Sequence, residues 1–129
     1  MAGILIADDS SFIREDLKRA LQSNGHEVLE AEDGAAAVSV FEKRADVIQV
    51  IVCDINMPNL DGISMCRQIQ TYCESKSIKM PPVFALTTET KPELKADGKK
   101  AGIVAWIPKP FDPVKLNQAV ATVLARKGT

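Results

Sequence analysis

Gly3-Ile4-Leu5-Ile6-Ala7 carries no polar side chain and stops abruptly on Asp8-Asp9. A run this uniform suits a strand covered on both faces, because a half-exposed strand alternates apolar with polar residues. Val47 to Asp54 repeats the pattern as the most hydrophobic strand. Val83 to Leu86 repeats it ahead of Thr87-Thr88, and Ile103 to Pro108 ahead of Lys109. "HEVLEAED", residues 26–33, reads as a more mixed strand. Helical stretches lie between them. Ser10 to Asn24 sets Ile13, Leu17, Ala20 and Leu21 at helical spacing and stops at Asn24-Gly25, a pair tolerant of left-handed backbone. Gly34 to Arg44 turns Val38 and Phe41 inward. A third helix follows Asp61-Gly62 with Ile63, Cys66 and Ile69, and "YCESKSIKMPP", 72–82, reads as a polar connection. Lys91 to Ala101 is a short helix with Pro92 in its first turn. Val114 to Ala125 is the last, with Leu116, Ala119, Val120 and Val123 on one face.

Five alternations of strand and helix argue for an α/β fold, a parallel sheet with helices on both faces. The 129 residues suffice for one domain with a full core. A formal net charge of −1 gives no basic stripe for nucleic acid. Apolar runs fall far short of the roughly 20 residues that span a bilayer, and the N-terminus lacks a signal-peptide layout. Cys53, Cys66 and Cys73 have no CxxC spacing and read as free thiols in a reducing cytoplasm. His26 is the only histidine, too few for a triad or a metal cluster, and reads as a turn residue. The chain runs about four residues past the last helical residue, so no output domain is expected.

In parallel sheets ligands sit at the carboxyl ends of the strands. Asp8-Asp9, Asp54, Thr87 and Lys109 all fall at such ends. Each has an ordinary reading alone: a turn or helix cap for the aspartates, strand filler for the threonine, a surface lysine. Together at one rim, three carboxylates repel strongly in a low dielectric. A hard divalent cation with oxygen ligands, Mg²⁺ above all, removes the conflict, and a lysine balances a further anion such as a phosphoryl group. Asp54 is then a candidate nucleophile toward phosphorus.

These motifs, Asp8-Asp9, Asp54 within "DINMPNLDG", Thr87 and "KPF" at 109–111, resemble the receiver domains of two-component response regulators, in particular the stand-alone chemotaxis regulators. The resemblance covers essentially the whole chain, 1–129, as one receiver domain. It implies a flavodoxin-like (βα)5 fold with sheet order 2-1-3-4-5. It implies that Asp54 accepts phosphoryl from a histidine kinase and that Mg²⁺ is held by Asp8, Asp9, Asp54 and the Asn56 backbone carbonyl. Thr87 and Lys109 resemble the switch hydroxyl and phosphate-binding lysine, with a cis Lys109-Pro110 peptide. The switch aromatic falls at Trp106, where Tyr or Phe is common. Thr88 stands where a small residue is usual. Asn56 and Glu89 match the polar pair of fast-reversing regulators, and Thr88 narrows the same entrance. Pro108 is tolerable if the fifth strand is an edge.

Lys91, Lys95 and Lys99 recur every fourth residue on the fourth helix, either as a solvated face or as a docking stripe. With Trp106 they would belong to the fourth-helix, fifth-strand, fifth-helix surface that receivers present to a downstream target protein. The expected function is a phosphorylation-dependent signalling switch of chemotaxis type, without enzymatic turnover, and without nucleic acid or membrane as partner. A phosphate sink or relay intermediate is the nearest alternative. An aspartyl phosphohydrolase is disfavoured because Asn56 occupies its acid–base position. A flavodoxin-like cofactor binder is disfavoured because two aspartates would repel a flavin phosphate.

Overall fold

The computed structural model describes residues 2–88 and 91–127, without the Lys127 side chain. The elements run β1 Gly3–Ala7, α1 Ser11–Gln22, β2 Glu27–Ala31, α2 Gly34–Arg44, β3 Ile48–Asp54, α3 Gly62–Ser75, β4 Val83–Thr87, α4 Pro92–Lys100, β5 Ile103–Pro108 and α5 Pro113–Lys127. All strands are parallel in the order β2-β1-β3-β4-β5. The fold is the flavodoxin-like arrangement expected from the sequence.

Alternation along the buried strands sorts the core into two layers. Leu5, Ala7, Ile51, Cys53, Val83 and Ala85 pack under α2, α3 and α4, where they meet Phe41, Met65, Cys66 and Ile69. Ile4, Ile6, Val50, Val52, Phe84 and Leu86 pack under α1 and α5, against Leu17, Leu21, Leu116 and Val120. Covering the sheet on both faces is what makes its central strands β1, β3 and β4 almost wholly apolar, while the edge strand β2 carries Glu27 and Glu30. Four helices start on side-chain caps: Ser10 accepts from Ile13 N, Asp33 from Ala36 N, Asp61 from Ser64 N and Asp112 from Val114 N and Lys115 N. Such caps satisfy backbone donors that have no partner inside the helix. The α1–β2 turn passes through Gly25 at φ +84°, next to the half-buried His26.

The third helix is longer than the sequence suggested. Tyr72, Cys73, Glu74 and Ser75 continue α3 instead of opening the connection to β4. Cys73 lies one turn beyond Ile69 and is buried. Tyr72 meets the Phe41 ring edge-on at 6.0 Å. Burial on one face outweighs the polar composition of the other. The second strand is shorter than read, because Asp33 is used as a cap. Pro108 does lie on an edge strand. Lys109 N donates to Thr87 O, so by strand alternation the Pro108 nitrogen faces the open margin, where a donor has no partner to lose. Among the described residues no helix is long and apolar enough to cross a membrane.

Candidate functional site

The carboxyl ends of β1, β3, β4 and β5 converge. Asp8, Asp9 and Asp54 each offer a carboxylate oxygen, and the three atoms lie within 4.8 Å of one another. Asp8 and Asp54 are 1% and 6% exposed, Thr87 is buried at the end of β4, and Asp9 is exposed. Lys109 Nζ reaches between two of the acids, 3.1 Å from Asp54 Oδ2 and 3.3 Å from Asp8 Oδ2. The Lys109-Pro110 peptide is cis.

Asp8 is fixed from every side but one. Its Oδ1 accepts from Ser10 N at 2.8 Å, its carbonyl from Arg14 Nη1 at 2.6 Å, and its N–H donates to Ala31 O. Arg14 is itself paired with Glu30 of β2, which also holds Lys18. The remaining oxygen, Oδ2, is buried, and among the described residues Lys109 Nζ at 3.3 Å is its one cationic neighbour, with no further donor reaching it. Burial raises the Asp8 pKa, and the Asp54 charge adds to that. The Ser10 N–H and Lys109 act against it without cancelling it. Burial alone would lower the Lys109 pKa, but the Asp54 and Asp8 carboxylates outweigh it and carry the lysine upward. One cation thus faces three acids, with a buried acceptor oxygen left over. Hard oxygen donors with surplus negative charge suit a divalent cation of the Mg²⁺ type.

Of the other residues singled out from the sequence, Asn56 and Thr88 lie beside this cluster. Asn56 is exposed immediately after β3, with its N–H 3.4 Å from Asp54 Oδ1. Thr88 is exposed beyond β4, and it joins Lys109 on the rim of an open groove of about 650 Å³ also lined by Ile13, Ala20 and Phe111. Glu89 lies outside the described residues. Trp106 pairs with Ala85 two steps back along the sheet from the Thr87–Pro108 pair. It is half-buried against α4, where a Cβ on Gly98 would come within 2.5 Å of the indole Cζ2. Lys91, Lys95 and Lys99 are exposed on α4, and among the described residues no acid pairs with them.

Three supporting residues escape a reading by sequence: Arg14, Asp33 and Asn59. Asp33 before Gly34 does carry the signature of a helix cap. Its second contact, Asn59 Nδ2 donating to Asp33 Oδ2 at 2.8 Å, spans 26 residues and leaves no local signal.

The family model of the response regulator receiver domain matches residues 4–121. The chain belongs to that family. Receiver domains are signalling proteins of two-component systems, generally without enzymatic turnover, that bind Mg²⁺ through an acidic pocket and interact with histidine kinases and downstream targets. Protein PilH of Pseudomonas aeruginosa is 36% identical over 97% of this chain and 99% of its own length. The chemotaxis protein CheY homolog of Campylobacter jejuni is 36% identical over 94% of this chain and 91% of its own. Other relatives are longer: the chain spans 5% of the peroxide stress-activated histidine kinase mak3 of Schizosaccharomyces pombe and 50% of the response regulator MprA of Mycolicibacterium vanbaalenii. Among solved structures, chemotaxis protein CheY4 of Vibrio cholerae superposes with a TM-score of 0.84 at 36% identity, covering 95% of this chain and 98% of that one. The CheX–CheY–BeF3–Mg²⁺ complex of Borrelia burgdorferi gives 0.85 at 29% identity, covering 95% and 89%.

Proposed function

We propose that this receiver is a phosphorylation-dependent signalling switch of a chemotaxis-type relay, in which Asp54 takes a phosphoryl group from a histidine kinase. The observation that carries the reading is the Lys109 ammonium, 3.1 Å from Asp54 Oδ2 inside a three-carboxylate rim. Asp8, Asp9, Asp54 and the Asn56 carbonyl would hold Mg²⁺, which when bound neutralises the rim and the incoming phosphoryl oxygens. The steps belong to the protein. Asp54 is held at the end of a rigid central strand, so its oxygen meets phosphorus in line as the kinase imidazole leaves. Lys109 exchanges a carboxylate oxygen for a phosphoryl oxygen, and the Thr87 hydroxyl takes another. Asn56 and Thr88 border the path of the hydrolytic water, with Glu89 in the same role on the strength of the resemblance. They set the lifetime of the phosphorylated state, expected to be short.

Pulling Thr87 and Lys109 toward the new charge shifts the ensemble of the surface that carries Trp106, Lys91, Lys95 and Lys99. The output is altered affinity for a target protein there. The family likeness to PilH and to CheY proteins supports the chemotaxis assignment, and the Borrelia burgdorferi complex supports Mg²⁺ and a protein partner for receivers of this kind.

Incubation with acetyl phosphate and Mg²⁺ tests this. The expected result is a mass gain of one phosphoryl group, absent in Asp54→Asn and decaying once the donor is removed. Phosphorylation of Asp54→Asn to wild-type stoichiometry would rule out Asp54 as acceptor, and continuous turnover of phosphoesters would favour a phosphohydrolase.

A further inference from the structure

The loop from Ile55 to Asp61 carries Asn56 away from the end of β3. Its base is held internally: Gly62 N donates to Ile55 O at 2.9 Å, Leu60 N to Pro58 O at 2.7 Å, and Ile55 and Met57 are buried. Its tip, Pro58-Asn59, is exposed and is held from outside. Asn59 sits in left-handed backbone, φ +68°, and its Nδ2 donates to Asp33 Oδ2 at 2.8 Å, while Asp33 Oδ1 accepts from Ala36 N at 2.8 Å. One carboxylate therefore caps α2 and tethers the loop. The next residue closes the joint, because a Cβ on Gly34 would lie 2.2 Å from the Leu60 carbonyl oxygen. On the loop's other flank, a Cβ on Gly62 would lie 2.3 Å from the Asp54 carbonyl oxygen. The loop is gripped between two helix starts, each with a glycine where a side chain would push it away.

We propose that Asp33, Gly34 and Asn59 are positioning residues that preset the β3–α3 loop, and with it the Asn56 carbonyl, for a divalent cation at the Asp54 rim. The inference rests on reading that rim as a cation site. Asp33 is not one of the rim carboxylates. It acts through the loop, so that ordering is complete before the cation arrives and does not subtract from affinity. The Ala36 and Asn59 donors keep its carboxyl below the usual range and thus ionised at neutral pH, and its place at the start of α2 favours the charge.

The test is calorimetric Mg²⁺ titration, with amide hydrogen exchange of the loop in metal-free protein. Asn59→Gly keeps the backbone conformation, the α2 cap and the net charge but loses the tether. It is expected to weaken Mg²⁺ binding about tenfold, the scale on which second-layer partners act, and to speed exchange at the Leu60 amide. Asn59→Asp sets two carboxylates against each other; it should also weaken binding, although an added negative charge alone would strengthen it. Asp33→Asn combined with Asn59→Asp exchanges donor and acceptor at unchanged net charge and should restore both affinity and slow exchange. Wild-type affinity and wild-type exchange in Asn59→Gly, or no rescue by the exchanged pair, would overturn the proposal alone. Wild-type protein that takes up no Mg²⁺ would overturn the cation reading, and the proposal with it.

Discussion

Asp8 and Asp54 are both strand-end aspartates, yet their surroundings differ. Asp8 is pinned by Ser10 and Arg14 and nearly sealed from solvent. Because its pKa is raised, it binds a proton more tightly folded than unfolded. Its ionisation therefore subtracts stability at neutral pH, and the deficit vanishes as pH falls through the folded pKa into the ordinary carboxylate range. Asp8→Asn removes the charge at all pH values. In metal-free protein at pH 7 it should raise the unfolding free energy by about 1 kcal/mol, with the advantage shrinking on acidification. Urea melts in chelator at two pH values check this; equal stability at neutral pH would mean that Lys109 already compensates Asp8 in full. Residues such as these were legible because a carboxylate after an apolar run has few uses in a parallel sheet. Arg14 and Asn59 were not, since each acts on a partner chosen by tertiary proximity.

At the level of elements, the boundaries misread were the end of β2 and the end of α3. Glu74, Ser75 and Lys76 look like a loop by composition, and only the packing of Cys73 and Tyr72 under the sheet extends the helix. The start of α3 was easier, because the Asp61-Gly62 turn marks it, whereas the cap role of Asp33 was hidden in the strand read over residues 26–33. The contact between α4 and β5 shows how much one missing side chain decides. Gly98 is buried under the Trp106 indole, with no room for a methyl group. Gly98→Ala gains about 1 kcal/mol of helix propensity but overpacks this joint at a cost of about 1–3 kcal/mol. The expected net is a loss of about 1 kcal/mol, with the indole displaced toward solvent. Denaturant melts and a red shift of the emission of this single tryptophan report the two effects separately. An unshifted spectrum would mean that α4 moves instead of the ring.

For the molecule as a whole, the sheet brings to one rim residues that are 101 positions apart, from Asp8 to Lys109. A cation bound there ties β1 to β3 and stabilises the folded chain by mass action. At a hundredfold excess over its Kd, Mg²⁺ should add about 2.7 kcal/mol to the unfolding free energy. Asp9→Ala should abolish most of that gain and leave metal-free stability near wild type, because Asp9 is exposed. Melts with Mg²⁺ and with chelator measure it, and an equal gain in both proteins would exclude Asp9 as a ligand. The margins of the same sheet matter for a different reason. At β2 Glu27 and Glu30 project to opposite faces of the edge strand, Glu27 engaged with Arg44 of α2 and Glu30 with Arg14 and Lys18 of α1. At β5 the margin ends on Pro108, whose nitrogen offers nothing to an approaching backbone. A foreign strand seeking to add itself finds fixed charge on one side and a gap in the donor row on the other. The sheet is therefore a poor template for edge-to-edge growth, which favours a dispersed protein even where many copies crowd together.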